Sequence, residues 1–152
     1  MLKYLDKNLI LKIDKKMNKE EVLNYMIDLI TEKTKLVNNK ESLREKIFAR
    51  ESLGTTGIGR GVAVPHARIE EINDIIFSIA LMEYPVEDYL TPDSEIPKII
   101  VLVASPKSKN SEYLKLLSDI SRWFRVKENR DNLILASTTE DLKEELLSLL
   151  GE

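Results

Sequence analysis

The stretch Lys98–Ala104, KIIVLVA, carries no polar side chain after its opening lysine. A β-branched and aliphatic run of this kind reads as a strand buried on both faces, because a half-solvated strand would alternate apolar with polar residues. A strand buried on both faces must be covered on both, which sets the expectation of helices above and below a sheet. Working back along the chain, Ile75–Met82 has the same character. The segment between the two runs contains Pro85, Pro92 and Pro97 and reads as a loop. Leu9–Ile13 alternates weakly and suggests a further short strand.

Helical spacing fills the remainder. Asn18 followed by Glu21 fits a loosened capping box, and Val22, Met26, Leu29 and Ile30 then fall on one face. A second helix is expected from Lys40 to Ser52, carried by Leu43, Ile47 and Phe48 and stopped by Gly54. A third should begin near Ser111 with Asn110 as its N-cap, a short one near Lys127, and a last from Thr139 to Leu150 ended by Gly151. No repeat, low-complexity tract or linker interrupts the pattern. The expected architecture is an α/β (α+β) fold: a single three-layer domain over residues 1–152, with a mixed central β-sheet flanked by helices on both sides.

Composition narrows the function. With 23 basic and 26 acidic side chains the net charge is −3, and no Lys/Arg stripe suited to a nucleic-acid backbone is visible, so no nucleic acid is expected as a partner. The chain has no cysteine and one histidine, which leaves no disulfide framework, no thiolate nucleophile and no zinc-type ligand set; no metal and no cofactor are expected. Apolar runs are far shorter than the roughly 20 residues a spanning helix needs, and the charges within Met1–Leu11 break any signal-peptide core. A cytoplasmic protein without membrane insertion is the expectation.

Four of the five glycines, Gly54, Gly57, Gly59 and Gly61, lie just before the single histidine, His66. Such a density reads as a shaped loop, followed by a short strand at Val62–Val64, with Pro65 biasing Val64 towards extended geometry. Taken alone, one histidine in a lysine- and glutamate-rich chain reads first as an ordinary surface residue. Its neighbours point elsewhere. A site that handles a phosphoryl group needs a nucleophile, donors for the phosphoryl oxygens and positive charge. His66 supplies the first, Thr55, Thr56 and the backbone at Gly57 are candidate donors, and Arg50 is the favoured cation, with Arg60 and Arg68 in the same segment. The loop lacks the GKS or GKT of a nucleotide-binding P-loop, and no G-x-S-x-G elbow is present.

The run Arg50–Arg68, RESLGTTGIGRGVAVPHAR, resembles the active-site segment of enzyme IIA of the fructose/mannitol type, a family of the bacterial phosphotransferase system that includes nitrogen-regulatory IIA proteins. The resemblance rests on Arg50-Glu51, Thr55-Thr56, Gly57-Ile58-Gly59 and Gly61-Val62-Ala63-Val64-Pro65-His66, in that order. It implies that His66 accepts a phosphoryl group from the phosphocarrier HPr or a relative and, in transport members, passes it to a cysteine of a IIB domain. In regulatory members the acceptor role is replaced by a target protein whose binding responds to phosphorylation. One position departs from the family pattern. Where members carry a second histidine in His-Leu-x-x-Leu, this chain reads Tyr113-Leu114-Lys115-Leu116-Leu117. The phenol of Tyr113 could donate a hydrogen bond to a phosphoryl oxygen or to the imidazole, and its presence leaves more room for a regulatory role.

Overall fold

A computed structural model describes residues 1–151. The two apolar runs form its centre. Strand β5 (Ile76–Met82) and strand β6 (Ile99–Ser105) pair antiparallel, with Ile79 opposite Val101, and every residue of both is buried. Strand β1 (Ile10–Ile13) adds to the outer side of β5 in parallel. On the far side of β6 lie β3 (Val62–Ala63) and β4 (His66–Arg68), both parallel to it, and β2 (Gly57–Gly59) closes that edge antiparallel to β3. The sheet is therefore mixed and six-stranded, in the order β1-β5-β6-β3-β2 with β4 also on β6.

β3 and β4 keep one register against β6: Val62 faces Ile99, Ala63 faces Ile100, and His66 faces Val103. They are one strand with its ladder broken at Pro65, which has no N–H to give. The Pro65 carbonyl still accepts from Val103 N–H at 3.0 Å. Sequence reading ended the strand at Val64, because a proline followed by His-Ala-Arg carries no strand signal; pairing with β6 imposes the extended state on those residues. The glycine-dense loop likewise contains a short strand, β2.

Alternation sorts the strand side chains into two cores. On one face Leu11, Ala63, Ala67, Ala80, Leu102 and Ala104 pack under α1 (Lys19–Lys33) and α2 (Lys40–Ser52), which bury Leu23, Met26, Ile27, Leu43 and Ile47. On the other, Val62, Val64, Phe77, Ile79, Val101 and Val103 pack under α3 (Asn110–Arg125), α4 (Lys127–Ile134) and α5 (Thr139–Leu150). This is the expected three-layer arrangement. Burying each large aliphatic side chain stabilises the fold by about 1.5–3 kcal/mol before chain entropy is set against it.

The helix starts follow the expected chemistry with one correction. The capping box of α1 is complete: the Asn18 side chain accepts from Glu21 N–H at 2.8 Å, and the Glu21 carboxylate accepts from Asn18 N–H at 3.0 Å. Asn110, by contrast, does not cap α3. A 3-10 turn at Lys107–Lys109 leads straight into the helix, Asn110 is its first residue, and its side-chain oxygen is taken by Arg68. No helix among the described residues is long and apolar enough to cross a membrane.

Candidate functional site

His66 opens β4, the second half of the interrupted strand beside β6, and its side chain shares a sheet face with Val62, Val64 and Arg68. That face looks towards α3. An open cleft of about 1080 Å³ lies there, bounded by the C-terminal turn of α2, the strand and the start of α3; Arg50, His66, Arg68, Lys107, Asn110 and Tyr113 are among its lining residues. Among the described residues Lys46 joins three of these as a fourth cation, and no carboxylate lines the cleft.

The imidazole is half-buried, and its Nδ1 lies 2.7 Å from the Val64 carbonyl oxygen. A carbonyl only accepts, so Nδ1 carries the proton and Nε2 is left with a free lone pair. Val64 is itself held, since its N–H donates to the Thr56 carbonyl at 2.9 Å. Burial pushes the His66 pKa below its ordinary 6.5, the Arg50 charge adds to that, and the Val64 hydrogen bond and the Glu51 charge oppose it. The site therefore favours the neutral, nucleophilic form of the ring.

Arg50 sits in the last turn of α2 and donates from Nη1 to the Gly54 carbonyl at 2.9 Å, which leaves its other donors for the cleft. Tyr113 lies on the first turn of α3. It is only 4% exposed, and its ring centroid is 6.3 Å from that of His66 at an interplanar angle of 51°. Burial raises its pKa to about 12 against the pull of Arg68 and Arg50, so the phenol stays protonated.

The cleft does not include Thr55, Thr56 or Gly57. The Thr55 hydroxyl donates to the Leu90 carbonyl and accepts from Gly57 N–H at 3.1 Å. The buried Thr56 hydroxyl bonds the Glu51 carboxylate and lies against the Tyr89 hydroxyl, which donates to the same Glu51 Oε1 at 2.9 Å. Lys19 Nζ is 2.7 Å from Glu51 Oε2, an ion-pair distance without hydrogen-bond alignment, and 4.5 Å from the Tyr89 ring centroid. Gly57 is glycine because a Cβ there would stand 2.3 Å from the Leu90 carbonyl oxygen. Gly59 has φ +90° and faces Asp93, whose carboxylate also accepts from Arg60 N–H at 2.7 Å. The polar atoms expected to meet an anion thus fasten the glycine hairpin to the loop of residues 83–98. Sequence reading missed Tyr89, Lys19 and Asn110. Tyr89 is 33 residues from Thr56 and Asn110 is 42 from Arg68, so no local pattern joins them.

Among the described residues no cluster of three or more His, Cys, Asp or Glu side chains could hold a metal ion. What the arrangement offers is a bare imidazole nitrogen in a cationic cleft, the makings of nucleophilic attack on an anionic centre.

Comparison with known proteins gives the same direction. Residues 3–148 match the family described as "Phosphoenolpyruvate-dependent sugar phosphotransferase system, EIIA 2". A nitrogen regulatory protein of Pseudomonas aeruginosa is 29% identical over 125 residues, 82% of this chain and 80% of that protein. The fructose-specific EIIABC component of Bacillus subtilis is 29% identical over 122 residues, 80% of this chain but only 19% of the longer protein. The crystal structure of nitrogen regulatory protein IIA-Ntr from Neisseria meningitidis superposes with a TM-score of 0.82 at 27% identity, covering 95% of this chain and 97% of that one.

Proposed function

This chain belongs to the EIIA 2 family of the phosphoenolpyruvate-dependent sugar phosphotransferase system, and from that premise we propose that Nε2 of His66 is its phosphoryl acceptor. The observation that carries the proposal is the Val64 carbonyl, which holds the proton on Nδ1 and frees Nε2 at a cleft lined by no carboxylate among the described residues. The donor is the phosphohistidine of an HPr-like phosphocarrier. As the donor N–P bond breaks, the Nε2–P bond forms, and positive charge that develops on the ring is shared with the Val64 carbonyl through Nδ1–H. Arg50 balances charge on the phosphoryl oxygens, and the Tyr113 phenol is a neutral hydrogen-bond donor beside it. In the second half of the cycle a IIB cysteine thiolate attacks phosphorus and the lone pair returns to Nε2. Thr55, Thr56 and Gly57 act one layer back, by holding the loop on which Val64 depends. The setting is the cytoplasm, and the product is an activated phosphoryl group for sugar uptake.

Incubation with phosphoenolpyruvate, enzyme I and HPr, followed by mass mapping, should place one acid-labile phosphoryl group on His66. Label retained in His66→Ala would sink the assignment. A second reading has its own support, because nitrogen regulatory proteins match over most of their length. In it, phosphorylation of His66 switches binding to a regulatory target. Pull-downs with phosphorylated and unphosphorylated protein separate the two: equal partner recovery in both states counts against the switch, and transfer to a IIB protein favours transport.

A further inference from the structure

Four cations line the cleft, and they are held in different ways. Lys107 lies 3.3 Å from the Glu70 carboxylate, so its charge is already partly answered. Lys46 projects from the body of α2. Arg68 differs from both. Its Nη1 donates to the Asn110 side-chain oxygen at 2.8 Å, and it pairs with no carboxylate among the described residues. A neutral amide oxygen orients a guanidinium without cancelling its charge. The same device holds Arg50, whose acceptor is the Gly54 carbonyl at the other wall of the cleft.

Position reinforces the point. His66 and Arg68 are two residues apart on one strand, so both side chains leave the same face of the sheet. The strand is pinned past Arg68 by Ile69 N–H, which donates to the Ser105 carbonyl at 2.8 Å. Asn110 is the first residue of α3, one turn before Tyr113, and the Arg68 charge acts on the Tyr113 phenol. Asn110 and Tyr113 both line the cleft, so the first turn of α3, which no side chain among the described residues caps, lies at the wall that Arg68 occupies.

We propose that Arg68, oriented by Asn110, is the second arm of a two-arginine clamp on the phosphoryl group carried by His66 Nε2. This rests on the reading of His66 as phosphoacceptor and adds a residue to it. Arg50 reaches the phosphoryl oxygens from α2 and Arg68 from β4. A guanidinium suits the role because its planar fork meets two oxygens at once, where the point charge of lysine meets one. Arg68 is a binding residue for the transferred group, and Asn110 is a positioning residue acting through it.

The test uses the full chain and potassium phosphoramidate, a small donor that removes protein docking from the measurement. Arg68→Gln should phosphorylate His66 at least roughly tenfold more slowly than the parent, with Arg68→Lys intermediate and Asn110→Ala between Lys and parent. The control Arg60→Gln, a cation outside the cleft, should behave as the parent. A titration followed by phosphorus NMR, on variants whose circular dichroism and melting match the parent, gives a second readout that is separate from loss of structure. In the parent, the last phosphoryl ionisation should occur at lower pH than in Arg68→Gln, because the clamp favours the dianion. Parental labelling rate and phosphorus titration in Arg68→Gln overturn the clamp while leaving the function of His66 intact. A parent protein that neither phosphoramidate nor phospho-HPr labels at His66 overturns the functional reading and the clamp with it.

Discussion

Depression of the His66 pKa has two measurable consequences at the scale of that residue. Because the chain has one histidine, its ring protons give a single resolved titration by NMR, and the midpoint should fall below 6.5. Folding stability should carry the same signature. Below about pH 6.5 the unfolded chain binds a proton that folded His66 resists, so stability attributable to this residue falls as pH drops from neutrality to the folded midpoint. In denaturant melts the stability difference between the parent and His66→Gln should be constant well above pH 6.5 and change as pH falls through that window, with the parent losing more than the variant. A slope unchanged by the substitution would show that some other group carries the dependence. The ordered run Arg50–His66 was legible as a family pattern, and it is what singles out His66 as the proposed nucleophile. The protonation geometry of His66 was not, because the partner of Nδ1 is a main-chain oxygen, which every sequence has.

Elements meet at Glu51, where the end of α2, the start of α1, the glycine hairpin and the proline-rich loop converge on one carboxylate. Glu51→Ala would strand the Tyr89 and Thr56 hydroxyls in a buried setting and leave Lys19 without its counter-charge. It should cost about 3 kcal/mol by equilibrium unfolding. Glu51→Gln keeps an acceptor for the hydroxyls and should cost less. At the same end of α1, next to Lys19, Asn18→Ala removes a complete capping box and should cost about 1 kcal/mol. Legibility divides along the same line. The α1 cap was readable because its two members are three residues apart, and KIIVLVA because burial on both faces writes itself as uninterrupted apolar sequence. β4 was not readable, since His66-Ala67-Arg68 becomes a strand only through β6. Thr56 looked like an anion donor because its actual partner Tyr89 lies in a loop without a periodic signal.

Across the whole molecule, two cores share one sheet, and the central strands contribute to both. Leu102 faces the α1/α2 side and Val101 the α3/α5 side. Leu102→Ala should destabilise by about 2–5 kcal/mol, and Val101→Ala by a smaller amount in keeping with its smaller side chain. Both should unfold in one transition, because the layers are coupled through the same backbone. Separate transitions by tryptophan fluorescence, which reports from Trp123 on the α3 side, and by circular dichroism would show that the layers melt independently. The acceptor that orients His66 belongs to this framework, and that has an evolutionary consequence. A side-chain acceptor can be deleted by one codon change, as Asn110 can. The Val64 carbonyl has no codon of its own. Substitution at position 64 alters the packing beneath the site yet leaves the oxygen in place, so the tautomer of His66 is inherited with the course of the chain and is sheltered from drift at any single position.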